Sequence, residues 1–451
     1  MLAAFVLWLV AGLPTLVPFL RRDRLGLGLA TVPFAGWLAL TLPWIWSALV
    51  GASVSGWWWQ ALVAAVLVAI VVEVLLHGTQ AGNHQHVDGV RGAAVAIAST
   101  LLSAAAVAHL YVGTRLMVGG DPTIGWDGVL WLMRAKVLAD LPGPYLGPLT
   151  GPQGHWDYPL LLPAWLGWLR RVGGLQLKEL AVGMGVVAAV VPLAGGAVLL
   201  RRGNPLLTTA CLLSTFALPR ALELHYGIYC DAFLTLTNTV AFLWAACAIR
   251  DRDEPLLVGA GIVLATTVAL KNEGILWLIA DSVAVGGYGL ALRRGGRDAF
   301  AAVFRLCLPG ALVFAVWQIA CASLGMRNDM LMAMRWDLAL SRAKGVIESL
   351  EWTAIQLGNV ILPVSALLLL AGLGLGGWRR GGARVAALLV GPAIYLAGLA
   401  FMYATTPHSV QWHLLSSGDR VMWGVFPVLL SLTLFAGHLD PSSRPRDSRA
   451  A

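Results

Sequence analysis

The chain has 451 residues, of which 58% are hydrophobic and only 12% charged, and its mean hydropathy is +0.76. Soluble proteins carry about 25% charged residues, so the composition excludes a water-soluble protein and predicts a single all-α integral membrane protein. The 31 basic residues outnumber the 23 acidic ones, but they lie in short clusters between apolar runs. That pattern indicates orientation in a membrane and not binding to nucleic acid.

Apolar runs near the length of a bilayer core recur along the chain, and a spanning helix needs roughly 20 residues. The first run has no basic segment before it, so we expect a retained span and not a signal peptide. About thirteen spans are predicted, at residues 2–20, 27–50, 57–76, 93–113, 176–200, 204–222, 228–249, 255–270, 274–292, 301–324, 353–377, 383–403 and 421–438.

The basic residues predict which loops face the cytoplasm, because cytoplasmic loops hold the excess of Lys and Arg. With the N-terminus outside, the arginine clusters at 21–24, 201–202, 250–252, 293–297 and 379–380, together with the tail 439–451, fall inside. The loops that fall outside are then 114–175, 325–352 and 404–420.

The first large outer loop, 114–175, is predicted to carry two helices that lie along the membrane surface. One covers 126–140 and places Asp127, Trp131 and Arg134 on one face, because offsets of four and seven residues return to the same side of a helix. The other covers 158–171, which is too short for a comfortable span, and its Trp165 and Trp168 are expected at the level of the lipid headgroups.

This loop also holds the first candidate functional residues. Asp127 begins the first surface helix, where a carboxylate can act as a general base or simply complement the helix dipole. His155 and Asp157 are two residues apart, so they can position a sugar hydroxyl or a cation, or can instead form a turn before the second helix. Asp127, His155 and Asp157 are together candidates to bind a divalent cation. The sequence indicates no other cofactor.

Further ionisable residues are predicted at the outer ends of later spans. Asp231 begins one span, Lys271 and Glu273 interrupt apolar sequence between two spans, and Arg420 begins the last span. Lys271 and Arg420 are candidates to hold a phosphate. The alternatives are a solvated hairpin tip at Lys271 and a snorkelling arginine at Arg420. Because all these groups fall on one predicted side of the membrane, they are expected to converge.

The order of these motifs resembles the GT-C superfamily of polytopic glycosyltransferases. The similarity is greatest to its branch of dolichyl-phosphate-mannose–protein mannosyltransferases and lipid A aminoarabinose transferases. It covers about residues 93–438 and rests on five segments: WDGVLWLMRAKVL at 126–138, HWDYPLLLP at 155–163, YGIYCDAFLTL at 226–236, LKNEG at 270–274 and GDRVMWGVFP at 418–427.

The resemblance implies an inverting enzyme of the bacterial cytoplasmic (inner) membrane with its active site on the periplasmic side. The donor would be a sugar on a polyprenyl phosphate, and the acceptor a glycan, lipid or protein. Asp127 would be the catalytic base, and Lys271 and Arg420 would bind the donor phosphate. The remaining candidates, Asp121, Arg134, His155, Asp157, Asp231 and Glu273, would position substrate or a cation.

Two features depart from the family pattern. The family usually has one span before the catalytic loop, whereas here three extra spans, in residues 1–92, precede the GT-C-like domain of 93–438. Asp121 lies six residues before Asp127, which leaves two possible bases; Trp126 and the helix after it favour Asp127. The alternative functions are a transporter, a lipid flippase or a polysaccharide polymerase. A transporter would have ionisable groups at mid-span and paired broken helices in two repeats.

Overall fold

The computed structural model describes residues 2–16, 19, 25–50, 97–111, 126–140, 157–200, 212, 219–292, 295–326, 328, 334–352, 355 and 377–436. In these segments the regular structure is helical, with no strand. The all-α prediction is therefore confirmed for this part of the chain.

Most helices of the first half begin and end close to the predicted boundaries, because the ends of the apolar runs set them. The exceptions are the first helix, which ends at Gly12 and not near residue 20, and the helix Pro219–Tyr226, which continues past the predicted end of the span 204–222. They are α1 (Leu2–Gly12), α2 (Leu25–Val50), α3 (Ile97–Tyr111), α4 (Trp126–Asp140), α5 (Leu161–Gly173), α6 (Leu177–Leu199) and α7 (Pro219–Tyr226).

The helices of the second half follow the predicted spans with two additions, a helix inside the predicted outer loop 325–352 and a short one inside the predicted outer loop 404–420. They are α8 (Cys230–Asp251), α9 (Glu254–Leu270), α10 (Gly274–Ala291), α11 (Gly296–Ser323), α12 (336–352), α13 (Gly377–Thr405), the short α14 (Val410–His413) and α15 (Asp419–Ala436).

Five of the described helices are long and apolar enough to cross a membrane, and they lie within α6, α8, α10, α11 and α13. Shorter apolar helices lie within α2, α3, α9 and α15. The chain is thus a helical protein with the composition of a multi-pass membrane protein. The predicted spans at 57–76 and most of those at 204–222 and 353–377 lie outside the described residues, so the expected number of thirteen stays a prediction.

Helix α8 forms the centre of the bundle. It packs against α6, α9, α10 and α15, and its residues from Cys230 to Ile249 are buried. A helix that is apolar on nearly all sides is stable only when other helices or lipid surround it. Side chains at the first turn of α8 are therefore held at a fixed position inside the protein, at one end of the bundle.

Helices α9 and α10 meet at a short break, Lys271–Asn272–Glu273. Lys271 has an extended backbone (φ −155°, ψ 153°), and its carbonyl accepts a hydrogen bond from Gly274 N at 2.8 Å. A Cβ at Gly274 would lie 2.3 Å from Thr267 O, so only glycine allows α10 to start this close to α9. The break therefore stays compact and carries its charged side chains into the bundle.

Helices α4 and α5 form as predicted, but α5 is not exposed at the membrane surface. Residues 161–169 are all buried, and Trp165 packs on Trp8 of α1 with 5.0 Å between ring centroids. The prediction that Trp165 and Trp168 face lipid headgroups is wrong, because α5 lies between α1, α2, α4 and α6. Gly167 brings α5 against α4, since a Cβ there would lie 2.9 Å from Ala135 O.

Candidate active site

Five charged side chains meet at one end of the bundle, which we call the cluster end. Asp231, at the first turn of α8, lies at the centre of this group: its Oδ1 is 3.0 Å from Lys271 Nζ and its Oδ2 is 3.3 Å from Arg420 Nη1. One carboxylate therefore holds both cations. The charged cluster consists of Asp127, Asp231, Lys271, Glu273 and Arg420.

Arg420 connects this centre to the helix α4. Its Nη1 donates a hydrogen bond to Asp127 Oδ2 as well as to Asp231 Oδ2. Asp127 and Arg420 are 293 residues apart in the chain, so the fold brings together two groups that no local motif links. The side chain of Asp127 is 33% exposed, against 7% for that of Arg420. Asp127 is thus the carboxylate of the cluster that solvent reaches most easily.

Lys271 is paired twice, since its Nζ is also 2.9 Å from Glu273 Oε1. Burial alone would lower the pKa of Lys271, but the carboxylates of Asp231 and Glu273 outweigh burial and hold that pKa well above its usual value. The ammonium group therefore stays charged at neutral pH. Lys271 is only 5% exposed, so the alternative of a solvated hairpin tip is excluded.

Asp157, from the predicted outer loop 114–175, lies beside the charged cluster and contacts the break between α9 and α10. Its Oδ2 accepts a hydrogen bond from Asn272 Nδ2, and its carbonyl accepts one from Trp317 Nε1 at 2.8 Å. The next residue, Tyr158, stacks on Trp131 with 5.8 Å between ring centroids, and Lys271 Nζ lies 5.8 Å from the same Tyr158 ring. Asp157 thus joins the loop to the break between α9 and α10.

Arg134 supports this arrangement through the backbone. It is buried, and its Nη2 donates a hydrogen bond of 2.7 Å to Tyr158 O. Its position on the same helix face as Trp131 was predicted, and the two side chains are in contact, with the guanidinium carbon 5.5 Å from the Trp131 ring. The contact to Tyr158 O indicates that Arg134 positions the segment next to Asp157.

The segment 406–418 supports Arg420 from the other side. Arg420 Nη2 donates to Ser416 O at 2.7 Å, and Ser416 Oγ donates to His413 O at 3.3 Å. His413 Nε2 is hydrogen bonded to Thr406 Oγ1. The guanidinium of Arg420 also lies 4.7 Å from the Tyr229 ring, a distance at which cation–π attraction operates. Arg420 is therefore fixed by neutral as well as charged partners.

Two of the predicted site residues, Asp121 and His155, lie outside the described residues. The proposed cation site of Asp127, His155 and Asp157 is consequently seen only in part, with Asp127 bound to Arg420 and Asp157 bound to Asn272. Across the described segments, no group of three or more His, Cys, Asp or Glu side chains is placed to hold a metal ion.

The structure adds three residues to the predicted set. Asn272 reaches Asp157, Tyr229 lies against Arg420, and Ser416 accepts a hydrogen bond from Arg420. Asn272 and Tyr229 are in the LKNEG and YGIYCDAF segments that the sequence singles out, so their neighbours pointed to them. Ser416 contributes only its carbonyl, which no side-chain pattern reveals.

The charges of the cluster are nearly balanced, since three carboxylates meet two cations. An anionic ligand at Lys271 or Arg420 must therefore replace a carboxylate as the partner of that cation. Asp127 is the carboxylate most easily replaced, because it is the most exposed and makes its ion pair with Arg420 alone among the described residues.

Comparisons with known proteins give no family: no family model, curated protein or solved structure matches the chain. The contacts and charges of the cluster are therefore the basis for assigning a function.

Proposed function

We propose that the protein is a membrane glycosyltransferase. In this proposal it moves a sugar from a polyprenyl-phosphate donor to an acceptor hydroxyl on the outer face of a bacterial cytoplasmic membrane, with inversion of configuration. The observation that carries the proposal is the bridge from Asp127 through Arg420 to Asp231 and Lys271, at one end of an apolar helical bundle. This bridge places an accessible carboxylate beside two buried cations, which is the pairing that transfer from a lipid phosphate requires.

The proposed reaction is a single displacement at the anomeric carbon. Asp127 takes the proton of the acceptor hydroxyl, and the acceptor oxygen forms a bond to the anomeric carbon on the face opposite the phosphate. The bond between that carbon and the phosphate oxygen breaks, and the polyprenyl phosphate leaves with the electron pair. Lys271 and Arg420 stabilise the charge that develops on the leaving phosphate.

The ion pair between Arg420 and Asp127 gives this proposal an order of events. A donor phosphate that binds Arg420 takes the place of the Asp127 carboxylate, since both are oxygen anions that suit a guanidinium. Asp127 is then released toward the acceptor at the moment when the donor is bound. Asp231 stays in contact with both Arg420 and Lys271 throughout, because it is buried.

The direct test is sugar transfer by the purified protein from a panel of radiolabelled polyprenyl-phosphate monosaccharides. Asp127→Asn should lower the rate roughly 10²–10⁴-fold, because a positioned general base typically contributes this much. The matched control is Asp140→Asn, at the other end of the same helix, where the side chain is 47% exposed and pairs with Arg170. The control should leave the rate unchanged.

Transfer that persists in Asp127→Asn would overturn the assignment of the base. Consumption of a lipid-linked oligosaccharide in place of all the monosaccharide donors would instead identify a polysaccharide polymerase.

A transporter or lipid flippase is a second candidate, and one observation favours it. Asp281 lies inside the membrane-spanning helix α10 and is 1% exposed. In the described structure neither of its carboxyl oxygens has a hydrogen-bond partner. Ionisable residues within a span often mark a transport path. In proteoliposomes that contain a fluorescent polyprenyl phosphate, a transporter loses transbilayer movement in Asp281→Asn, whereas the proposed transferase keeps sugar transfer in that variant.

A further inference from the structure

Among the described residues, helix α12 (336–352) contacts the rest of the protein along one face. Val346 is 1% exposed and lies in a small apolar cluster with Tyr403 and Ala404 at the end of α13. Arg342 extends this contact, because its Nη1 donates hydrogen bonds to Thr406 O at 2.7 Å and to His408 O at 2.9 Å. The helix is therefore attached firmly to the cluster end of the bundle.

A second face of α12 is apolar and uncovered. Trp336 is 69% exposed, Leu340 92% and Ile347 56%, and Ala343 between them is exposed too. These residues are spaced by four, three and four positions, so they form one continuous stripe along the helix. A soluble surface rarely presents such a stripe to water, so a partner is expected to cover it.

The third face is polar along most of its length and ends at Trp352, which is 58% exposed. Asp337, Ser341, Lys344 and Glu348 follow the apolar stripe one position later and are all exposed. At 100° per residue, the protein-facing, apolar and polar faces lie about a third of a turn apart. A helix at a membrane interface needs such an arrangement, with protein beside it, acyl chains below it and water above it.

The apolar stripe begins beside an exposed apolar side chain of the spanning helix α13, and this contact indicates which way the stripe faces. The Trp336 ring lies 5.3 Å from the Phe401 ring, and Phe401 is 39% exposed on α13, one turn before the end of that helix at Thr405. Arg335 N donates to Thr405 O at 2.7 Å, so α12 starts where α13 ends. The stripe is therefore continuous with an exposed apolar surface of a spanning helix.

We infer that α12 lies in the plane of the membrane, in the leaflet at the cluster end, with Trp336, Leu340, Ala343 and Ile347 among the phospholipid acyl chains. The lipids of the bilayer interface thus cover the apolar face of α12. Between 335 and 352 the three basic residues are balanced by three acidic ones. The helix therefore binds the bilayer through its apolar side chains and does not require anionic lipid. This inference does not depend on the proposed function.

The test uses four variants with one added cysteine each, labelled with an environment-sensitive fluorophore in phosphatidylcholine proteoliposomes. Leu340→Cys and Ile347→Cys place the label on the apolar stripe. Ser341→Cys and Glu348→Cys are matched controls one position away on the polar face. Of the described natural cysteines, Cys230, Cys247 and Cys321 are buried and Cys307 is half-buried, so the protein without an added cysteine is labelled in parallel and gives the background signal.

The inference expects several-fold stronger quenching by acyl-chain nitroxides at 340 and 347 than at 341 and 348, and the opposite order with aqueous iodide. Equal quenching by iodide at all four positions would place α12 in water and overturn the inference. Protection of 340 and 347 from both quenchers would mean that protein covers the stripe. If dilution of the protein in lipid removed that protection, the covering protein would be a second copy of the chain.

Discussion

Two turns separate the charged cluster from a second group of buried polar residues, and the two groups are built in opposite ways. Asp231 and Asn238 lie seven positions apart on the same face of α8. In the cluster, every charged side chain has an opposite charge within 3.3 Å. Deeper in the bundle, Asn238 and Asp281 are buried, and their side-chain polar atoms have no hydrogen-bond partner in the described structure.

This difference shows that a buried polar group in a membrane protein affects stability in one of two ways, depending on whether it has a partner. Paired charges keep their ionised form, and the loss of one partner leaves the other charge buried and uncompensated. An unpartnered amide or carboxyl group already bears its desolvation cost, so its replacement by an apolar group of similar size loses little. Substitutions in the two regions should therefore have very different effects on stability.

The largest effect on stability is expected for Asp231→Ala. This change removes one partner of both Lys271 and Arg420, which keep Glu273 and Asp127 as their other partners. Because breaking a buried ion pair typically costs roughly 3–5 kcal/mol, we expect a loss near the lower end of this range. The measurement is the free energy of unfolding in detergent micelles. Asp337→Ala is the matched control, because its pair with Arg335 is exposed and such pairs contribute about 0–1 kcal/mol. Similar small losses in both variants would contradict the role of Asp231.

The next effect concerns substrate binding and rests on the proposed function. Lys271→Ala removes a charged donor, and hydrogen bonds to charged groups contribute about 1.5–3 kcal/mol. The KM for the lipid donor should therefore rise roughly 10- to 100-fold, beyond any change in stability. Lys344→Ala is the control, since that side chain is 88% exposed on α12. An unchanged KM in Lys271→Ala would remove this lysine from the donor site.

A smaller effect is expected for Asp281→Val. Because the carboxyl group has no partner in the described structure, its replacement by an apolar side chain should change the free energy of unfolding by less than about 1 kcal/mol, or raise it. Thermal unfolding of this variant beside Asp231→Ala measures the contrast directly. A loss as large as that of Asp231→Ala would show that Asp281 has a partner and that the two regions are built alike.

The last effect appears only in acid, as a dependence of stability on pH through His413. Burial, together with the nearby charges of His408 and Arg342, lowers the pKa of this histidine from 6.5 to about 4. The folded protein therefore resists protonation of a group that the unfolded chain protonates readily. The stability that neutral His413 provides is present above pH 6.5 and is lost as the pH falls toward 4.

This loss should appear as a midpoint of unfolding that falls by ~2–4 °C for each kcal/mol of stability lost. A His413→Gln variant keeps a side-chain amide near Thr406 but does not titrate, so its unfolding midpoint should fall less over the same pH interval. Parallel curves for the two proteins would show that other groups set the pH dependence.

Helix positions could largely be predicted from the sequence, because in an apolar chain the lengths of the apolar runs fix the ends of the helices. The predicted surface helix at 126–140 has the observed boundaries, Trp126–Asp140. Helix α12 was missed because its stripe of Trp336, Leu340, Ala343 and Ile347 is interrupted by charged residues, which lower the average hydropathy of the loop below that of a span. Only its helical periodicity marks it.

The members of the charged cluster could also be predicted, since charged residues in apolar surroundings are few. Their pairing could not, because Arg420 contacts Asp127 and Asp231 across 293 and 189 residues. The burial of Trp165 was missed for the same reason: its partner Trp8 lies in another helix, and an aromatic residue suited to headgroups suits the interior of a bundle equally well.

Because Asp231 contacts both Lys271 and Arg420, these three residues cannot change independently. Neutralising Lys271 or Arg420 alone leaves two more carboxylates than cations in the cluster, and neutralising Asp231 removes the group that joins the two cations. Sequence drift at these positions should therefore proceed by joint exchange. Chains that share ancestry with this one are expected to keep the trio intact, or to have lost its two cations together with the carboxylates that pair with them.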